Sequence, residues 1–131
     1  MDPILHLSFA VRDLDEARAF YVDDLGCPLG RVRDGWVDVW FYGMQVTLHE
    51  MPAHVDAVPD EVRHFGVTLP LDDLHALVAR LDGRGVTWLR ELATDSPGTP
   101  REQTKCKLTD PSGNVIELKA YADPVAAFAN D

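Results

Sequence analysis

A chain of 131 residues with 46% hydrophobic content is the size of one domain with its own core. Twelve Lys and Arg against twenty-two Asp and Glu leave a formal net charge of −10, which repels nucleic-acid phosphates and acidic lipid surfaces and speaks against both as partners. No apolar run approaches the roughly 20 residues that span a bilayer, MDPILHLSFAVRD lacks the basic start and cleavage site of a signal peptide, and Cys27 and Cys106 read as buried thiols, so the expectation is a soluble cytoplasmic protein without membrane contact.

The first apolar, β-prone run, ILHLSFAV, gives way to RDLDEARAFYVDDLG, which predicts a strand leading into a helix. Asp13 followed by Glu16 resembles a capping box, Ala17, Phe20, Tyr21 and Leu25 recur at helical spacing, and Gly26 supplies the stop. Three short strands are expected next, in PLGRVRD, GWVDVWFYG and MQVTLHEM, punctuated by Asp34-Gly35 and Gly43. PAHVDAVPDE has no consistent period and reads as a linker. The pattern then starts again. VRHFGVTLP predicts a strand, LDDLHALVARLDGRG a helix with Leu74, Leu77, Val78 and Leu81 on one face, and VTWLREL a strand. The turn-rich loop ATDSPGTPRE leads to a strand in QTKCKLTD, a turn at PSGN and a last strand in VIELKAY.

Both halves therefore read βαβββ, an α+β class. The expected organisation is a single domain of two modules: module one at 1–51, a linker at 52–62, module two at 63–121 and a tail at 122–131. Overlaying LHLSFAV on RHFGVTL puts His6 on His64, and overlaying GMQVTLHE on GNVIELKA puts Thr47 on Glu117. A period near 60 residues points to a duplicated supersecondary unit rather than a solenoid.

Glu117 sits in the middle of an apolar strand, where an ionised carboxylate costs several kcal/mol unless it is paired or binds a metal. His6 and His64 each open an apolar strand, 58 residues apart, and Glu117 lies 53 beyond the second, so each interval is about one repeat. Two imidazoles and one carboxylate suit Fe2+, and with an added ligand or water also Zn2+, Mn2+, Ni2+ or Co2+. Taken singly, a strand histidine is more often a satisfied core or edge residue, and a strand glutamate more often faces solvent. The matched places in the repeat favour the metal.

The segments HLSFAVRDLDEARAFYVDDLG, RHFGVTL and LTDPSGNVIEL resemble the vicinal oxygen chelate superfamily, which includes glyoxalase I, extradiol ring-cleaving dioxygenases, fosfomycin-modifying enzymes and bleomycin-binding proteins. The resemblance runs to about Tyr121. It implies two βαβββ modules forming a cupped mixed sheet, with helices outside, around a divalent metal held by His6, His64 and Glu117. A fourth ligand place falls on Thr47, where glyoxalase I has a Glu. Gln45, Thr47 and His49 share one face and are expected to point into the cup, with Gln45, Thr47 and Trp40, the last as part of an aromatic wall, against a small-molecule substrate. In extradiol dioxygenases a histidine similar in place to His49 acts as acid and base; His49 is equally open to a role as fourth ligand or as a surface residue next to Glu50.

The shared chemistry implied is chelation of two adjacent substrate oxygens, with stabilisation of an anion such as an enediolate or catecholate. The set of two His, one Glu and His49 fits a dioxygenase-like reaction best and a lyase- or isomerase-like one next. The competing class is a metal-free acidic binding protein that sequesters a cationic aromatic drug. Superfamily members commonly dimerise, so a homodimer is expected, with ADPVAAFAND as a short helix against a neighbouring subunit or a frayed end. Outside the site, His75 is expected on the solvent side of its helix and His54 in the linker; Asp38, alternating with Trp36 and Trp40, could orient a ligand, although a solvated edge position is the commoner explanation. Lys105 and Lys107 share a face that could meet an anionic substrate, though lysines on exposed strands more often guard an edge.

Overall fold

The computed structural model describes residues 1–129. Its elements run β1 (His6–Val11), α1 (Leu14–Arg18), β2 (Leu29–Arg33), β3 (Trp36–Phe41), β4 (Met44–Glu50), β5 (His64–Thr68), α2 (Leu71–Asp82), β6 (Thr87–Asp95), β7 (Gln103–Thr109) and β8 (Val115–Tyr121). The expected α+β class and the repeated βαβββ order are both present. Among the described residues no helix is long and apolar enough to cross a membrane.

The strands form two four-stranded mixed sheets with the same topology, β1-β4-β3-β2 and β5-β8-β7-β6. In each, the first strand of the half runs parallel to the fourth and the remaining pairs are antiparallel. The chain divides into two compact units: Met1–Pro59 with the turn Asp110–Asn114, and Asp60–Thr109 with the residues from Val115 onward.

In the first unit Asp13 is extended and its side chain accepts the Glu16 N–H at 2.9 Å, which starts α1 as the sequence predicts. Only half of the expected capping box forms, because the Glu16 carboxylate turns to Arg12 instead. The helix then departs from the predicted 3.6-residue period. It widens into a π-helical segment, Ala19–Asp24, and Leu25 N–H reaches the Phe20 carbonyl at 2.9 Å. The wider turn lets the consecutive rings of Phe20 and Tyr21 both be buried, packed edge to face with centroids 5.0 Å apart. Gly26, at φ 77°, ends the helix in the left-handed region. Beneath these rings lie Val11, Val37, Val39, Phe41, Val46 and Leu48, alternate residues of β1, β3 and β4.

The second unit is built the same way. Leu74 and Leu81 of α2 are fully buried, with Leu77 and Val78 half-buried beside them, and the matching sheet face carries Cys106, Leu108, Ile116, Leu118 and Ala120. Strand β6 runs to Asp95, so Ala93, Thr94 and Asp95 extend the ladder where the sequence predicts a loop, pairing with Lys105, Thr104 and Gln103. The tail forms a 3₁₀ turn at Pro124–Phe128, started by the Asp123 side chain on Val125 N–H.

The signature DPSGN is a polar knot of the first unit. Buried Asp110 accepts the Tyr21 hydroxyl at 2.8 Å, the main-chain N–H groups of Ser112 and Asn114 at 2.9 Å each, and the Asn114 side-chain amide at 2.8 Å. Asn114 donates to the Ala10 carbonyl at 3.1 Å, and the Ser112 hydroxyl receives the Arg12 N–H at 2.8 Å. Burial, then the neighbouring Asp110 charge and the hydrogen bond to it, hold the Tyr21 phenol well above its ordinary value.

A phenol whose folded-state pKa exceeds its unfolded value of about 10 contributes stability that is complete below pH ~10 and is lost as pH rises toward the folded value. Tyr21→Phe, which leaves a buried carboxylate one donor short, is expected to cost about 2 kcal/mol near neutrality. The variant should also lack this phenol's share of the alkaline loss. Urea unfolding at pH 8 and pH 10.5 checks both; equal stability of the two proteins at pH 8 would count against the role given to this pair.

Candidate functional site

Strand register decides which side chains share a face. In the first sheet His6 pairs with Gln45, Ser8 with Thr47 and Ala10 with His49, while Thr47 pairs with Asp38, Gln45 with Trp40 and His49 with Trp36. Paired residues point the same way, so His6, Gln45, Thr47, His49, Trp36, Asp38 and Trp40 all lie on the face opposite the apolar core. In the second sheet His64 pairs with Val115, Gly66 with Glu117 and Thr68 with Lys119, and Glu117 pairs in turn with Lys107. Thr47 stands two rungs along β4 from the partner of His6, and Glu117 stands two rungs along β8 from the partner of His64. The registers reproduce the equivalence of Thr47 and Glu117 drawn from the sequence.

Both histidines are oriented in the same manner. His6 Nδ1 lies 3.2 Å from the Gln45 carbonyl oxygen and His64 Nδ1 lies 2.8 Å from that of Glu61. A carbonyl oxygen only accepts, so in each ring Nδ1 carries a proton and Nε2 is the nitrogen whose lone pair the neutral ring offers. His64 Nε2 is 4.0 Å from Glu117 Oε1, a gap that a shared cation with bonds of about 2.1 Å can close with a small side-chain adjustment. Glu117 is half-buried, its side chain 15% exposed.

The neighbours of Glu117 are unlike those of the other acids drawn into the fold. Asp110 is saturated by four donors. Asp38, 1% exposed, accepts the Thr47 hydroxyl at 2.6 Å and Arg31 Nε at 2.8 Å. Glu117 accepts no hydrogen bond among the described residues; its nearest partners are His64 Nε2 and, at 3.9 Å, Lys119 Nζ. It is the carboxylate left able to take a cation.

The backbones of β5 and β8 approach closely beside it. A Cβ on Gly66 would stand 1.8 Å from the Glu117 carbonyl oxygen, so only glycine allows β5 to lie against β8 where His64 and Glu117 are presented.

His6 belongs to the first unit and the pair His64 and Glu117 to the second. Among the described residues no group of three or more His, Cys, Asp and Glu side chains forms a ready metal cluster. The two donors of the second unit, with their fixed imidazole and uncommitted carboxylate, suit a divalent ion in their chemistry.

On the first unit's polar face Thr47 is buried and its hydroxyl proton is committed to Asp38, while Gln45, Trp40 and His49 are half-buried. The His49 ring lies 6.5 Å from that of Trp36, and the Arg31 guanidinium sits over the Trp36 ring, 5.1 Å from its centre. Burial pushes the Asp38 carboxyl up, but the hydrogen bonds from Thr47 and Arg31 and the Arg31 charge outweigh it and leave the group below its ordinary value. Asp38 is thus a buried hub, which overturns the commoner explanation of it as a solvated edge residue. The Thr47 hydroxyl nine residues on was the available signal. His75 and His54 are exposed and stand apart from these faces, as expected.

The edge-guard reading of Lys105 and Lys107 fails, because β7 is an inner strand of its sheet. Sequence reasoning also passes over Lys119, although its spacing of two from Glu117 puts both on one face.

With the geometry in hand, comparison with known proteins identifies the family. A family model for the Glyoxalase/Bleomycin resistance protein/Dioxygenase superfamily matches residues 3–118. The chain belongs to that superfamily. A crystal structure of a glyoxalase/bleomycin resistance protein/dioxygenase from Alicyclobacillus acidocaldarius is 32% identical, with 95% of this chain and 96% of that chain covered and a TM-score of 0.86. The genomically encoded fosfomycin resistance protein FosX from Listeria monocytogenes matches at 13% identity, 96% and 98% coverage and a TM-score of 0.77, a likeness of fold alone. A hypothetical protein, SA1046, from S. aureus matches at 16% identity, 92% and 94% coverage and a TM-score of 0.72, again in fold. No curated protein matches the chain.

Gly66→Ala is expected to force β5 from β8 and to cost about 3 kcal/mol, the upper range for overpacking a close contact. Thr68→Ala, on the same exposed side of β5, should stay within about 0.5 kcal/mol of the parent. Chemical denaturation of the two variants tests this; a Gly66→Ala protein as stable as the parent would show that the close approach is not a constraint.

Proposed function

We propose that this superfamily member is a metal-dependent enzyme that binds a small substrate through two adjacent oxygens, with His6, His64 and Glu117 as the donors for a divalent ion. The observation that carries the reading is the pair His64 and Glu117: an imidazole whose Nδ1–H is fixed on a main-chain carbonyl, facing a carboxylate that no hydrogen bond occupies. His6 offers Nε2 in the same way and is the third donor of the proposal.

A divalent ion bound there would supply Lewis acidity to the chelated oxygens; Fe2+ would suit a dioxygenase-like reaction, and Zn2+, Mn2+, Ni2+ or Co2+ a lyase- or isomerase-like one. The remaining work falls to the chain. The carbonyls of Gln45 and Glu61 hold the imidazoles in one tautomer. Trp36 and Trp40 offer flat apolar surface to a planar substrate, and Gln45 offers a donor and an acceptor. His49, half-buried beside Trp36, is the acid and base of the proposal, taking a proton from the substrate and returning it. The molecule is expected to work as a homodimer.

The net charge of −10 and the tryptophans of β3 favour one competing reading, a metal-free protein that sequesters a cationic aromatic drug. Elemental analysis and calorimetric titration with Mn2+ separate the two. The enzyme reading expects one ion per chain, with affinity falling at least about 100-fold in His64→Ala and in Glu117→Gln and unchanged in His75→Ala. Protein that takes up no metal under any of these conditions would leave the drug binder standing.

A further inference from the structure

We infer that the second unit holds an oxyanion, the carboxylate or phosphate-type group of a small anionic substrate, between Lys107 and Lys119 beside Glu117. The inference deepens the reading above and rests on it for where the chelated oxygens sit.

The chain has three lysines, Lys105, Lys107 and Lys119, and all three lie on one face of one sheet. Lys105 pairs directly with Lys119, and Lys107 with Glu117. Like charges directly opposite each other on a sheet are destabilising, so a protein of net charge −10 has set its lysines where they repel. All three are half-buried on inner strands, which removes edge protection as the reason for them.

Their partners differ. Lys105 Nζ is 2.9 Å from Asp95 Oδ2, and the neighbouring Arg90 is engaged by Glu61 Oε1 at 3.1 Å. Among the described residues Lys107 Nζ reaches only the Glu61 carbonyl, at 3.5 Å. Lys119 Nζ stands 3.9 Å from Glu117 Oε1 and 5.7 Å from the Tyr121 ring centre. The Glu117 carboxylate is thus shared between Lys119 and His64, and the register sets Lys107 directly across the sheet from the same residue. Once Glu117 serves a metal, its charge is drawn away and Lys107 and Lys119 are left uncompensated.

A cleft of about 250 Å³ lies at this spot, lined by His64, Gly66, Thr68, Glu117 and Lys119 among others. That volume is below the roughly 300–1,000 Å³ of drug-sized ligand sites, so it suits a small organic acid. Lys119 lines this cleft and would donate a charge-assisted hydrogen bond to an oxyanion there, and Lys107, outside the lining but opposite Glu117 on β7, is the second donor of the inference.

The test titrates full-length protein, EDTA-treated and Mn2+-loaded, with inorganic phosphate and separately with propionate, by calorimetry. The tighter of the two probes tells a tetrahedral group from a planar one. Lys107→Gln and Lys119→Gln should each weaken that probe about tenfold, Lys105→Gln by less than about twofold, and Lys119→Arg should restore the parent affinity, as expected for charge-assisted bonds. Binding of neither probe, or equal binding by all the variants, overturns the inference. Mn2+ affinity measured on the same samples keeps the two ideas apart. Lysine-dependent anion binding without metal binding defeats only the metal reading, whereas intact metal binding without lysine-dependent anion binding defeats only this one.

Discussion

A carboxylate taken into a β-sheet must be compensated, because in a medium of low dielectric its lost hydration is far larger than the attraction of any single exposed charge. Asp110, Asp38 and Glu117 are drawn from water on the strands and turns, and much of the polar structure is arranged by how each is answered. Asp110 is answered by a phenol, two main-chain N–H groups and an amide, all neutral, and so it organises a turn. Asp38 is answered by a hydroxyl and a guanidinium, and so it fixes the Arg31 and Trp36 platform. Among the described residues Glu117 is answered only at a distance, by an imidazole and an ammonium group. The first two are architecture. The third has the chemistry of a binding group.

The fold was largely legible from local pattern. Alternation, the Asp13 cap and glycines at the turns mark the βαβββ order without reference to anything distant, and the internal repeat brings His6 onto His64 and Thr47 onto Glu117 in the same register that the sheets adopt. The π-helical widening at Ala19–Asp24 was not legible, since it answers to the burial of two successive rings rather than to any local propensity. The same limit applies to β6, whose final residues are strand because β7 pairs with them.

For the site, residue type and spacing named the donors, but position in a sheet does not reveal what a side chain already holds. Thr47 and Asp38 read as separate polar residues until the cross-strand register joins them into one buried hydrogen bond. Lys105 and Lys107 read as edge guards because strand order is a long-range property that no short window contains. The distribution of lysine was visible in composition alone. Placed on the register, it turns an acidic chain into one with a cationic face beside Glu117.

The partners chosen to orient His6 and His64 have an evolutionary consequence. Each imidazole leans on a peptide oxygen, and a peptide oxygen survives every amino-acid exchange at its own position. Drift at Gln45 or Glu61 can therefore alter what surrounds the rings while leaving their tautomers intact, so a lineage built on this scaffold is free to explore new substrates without first losing the groups that anchor its chemistry.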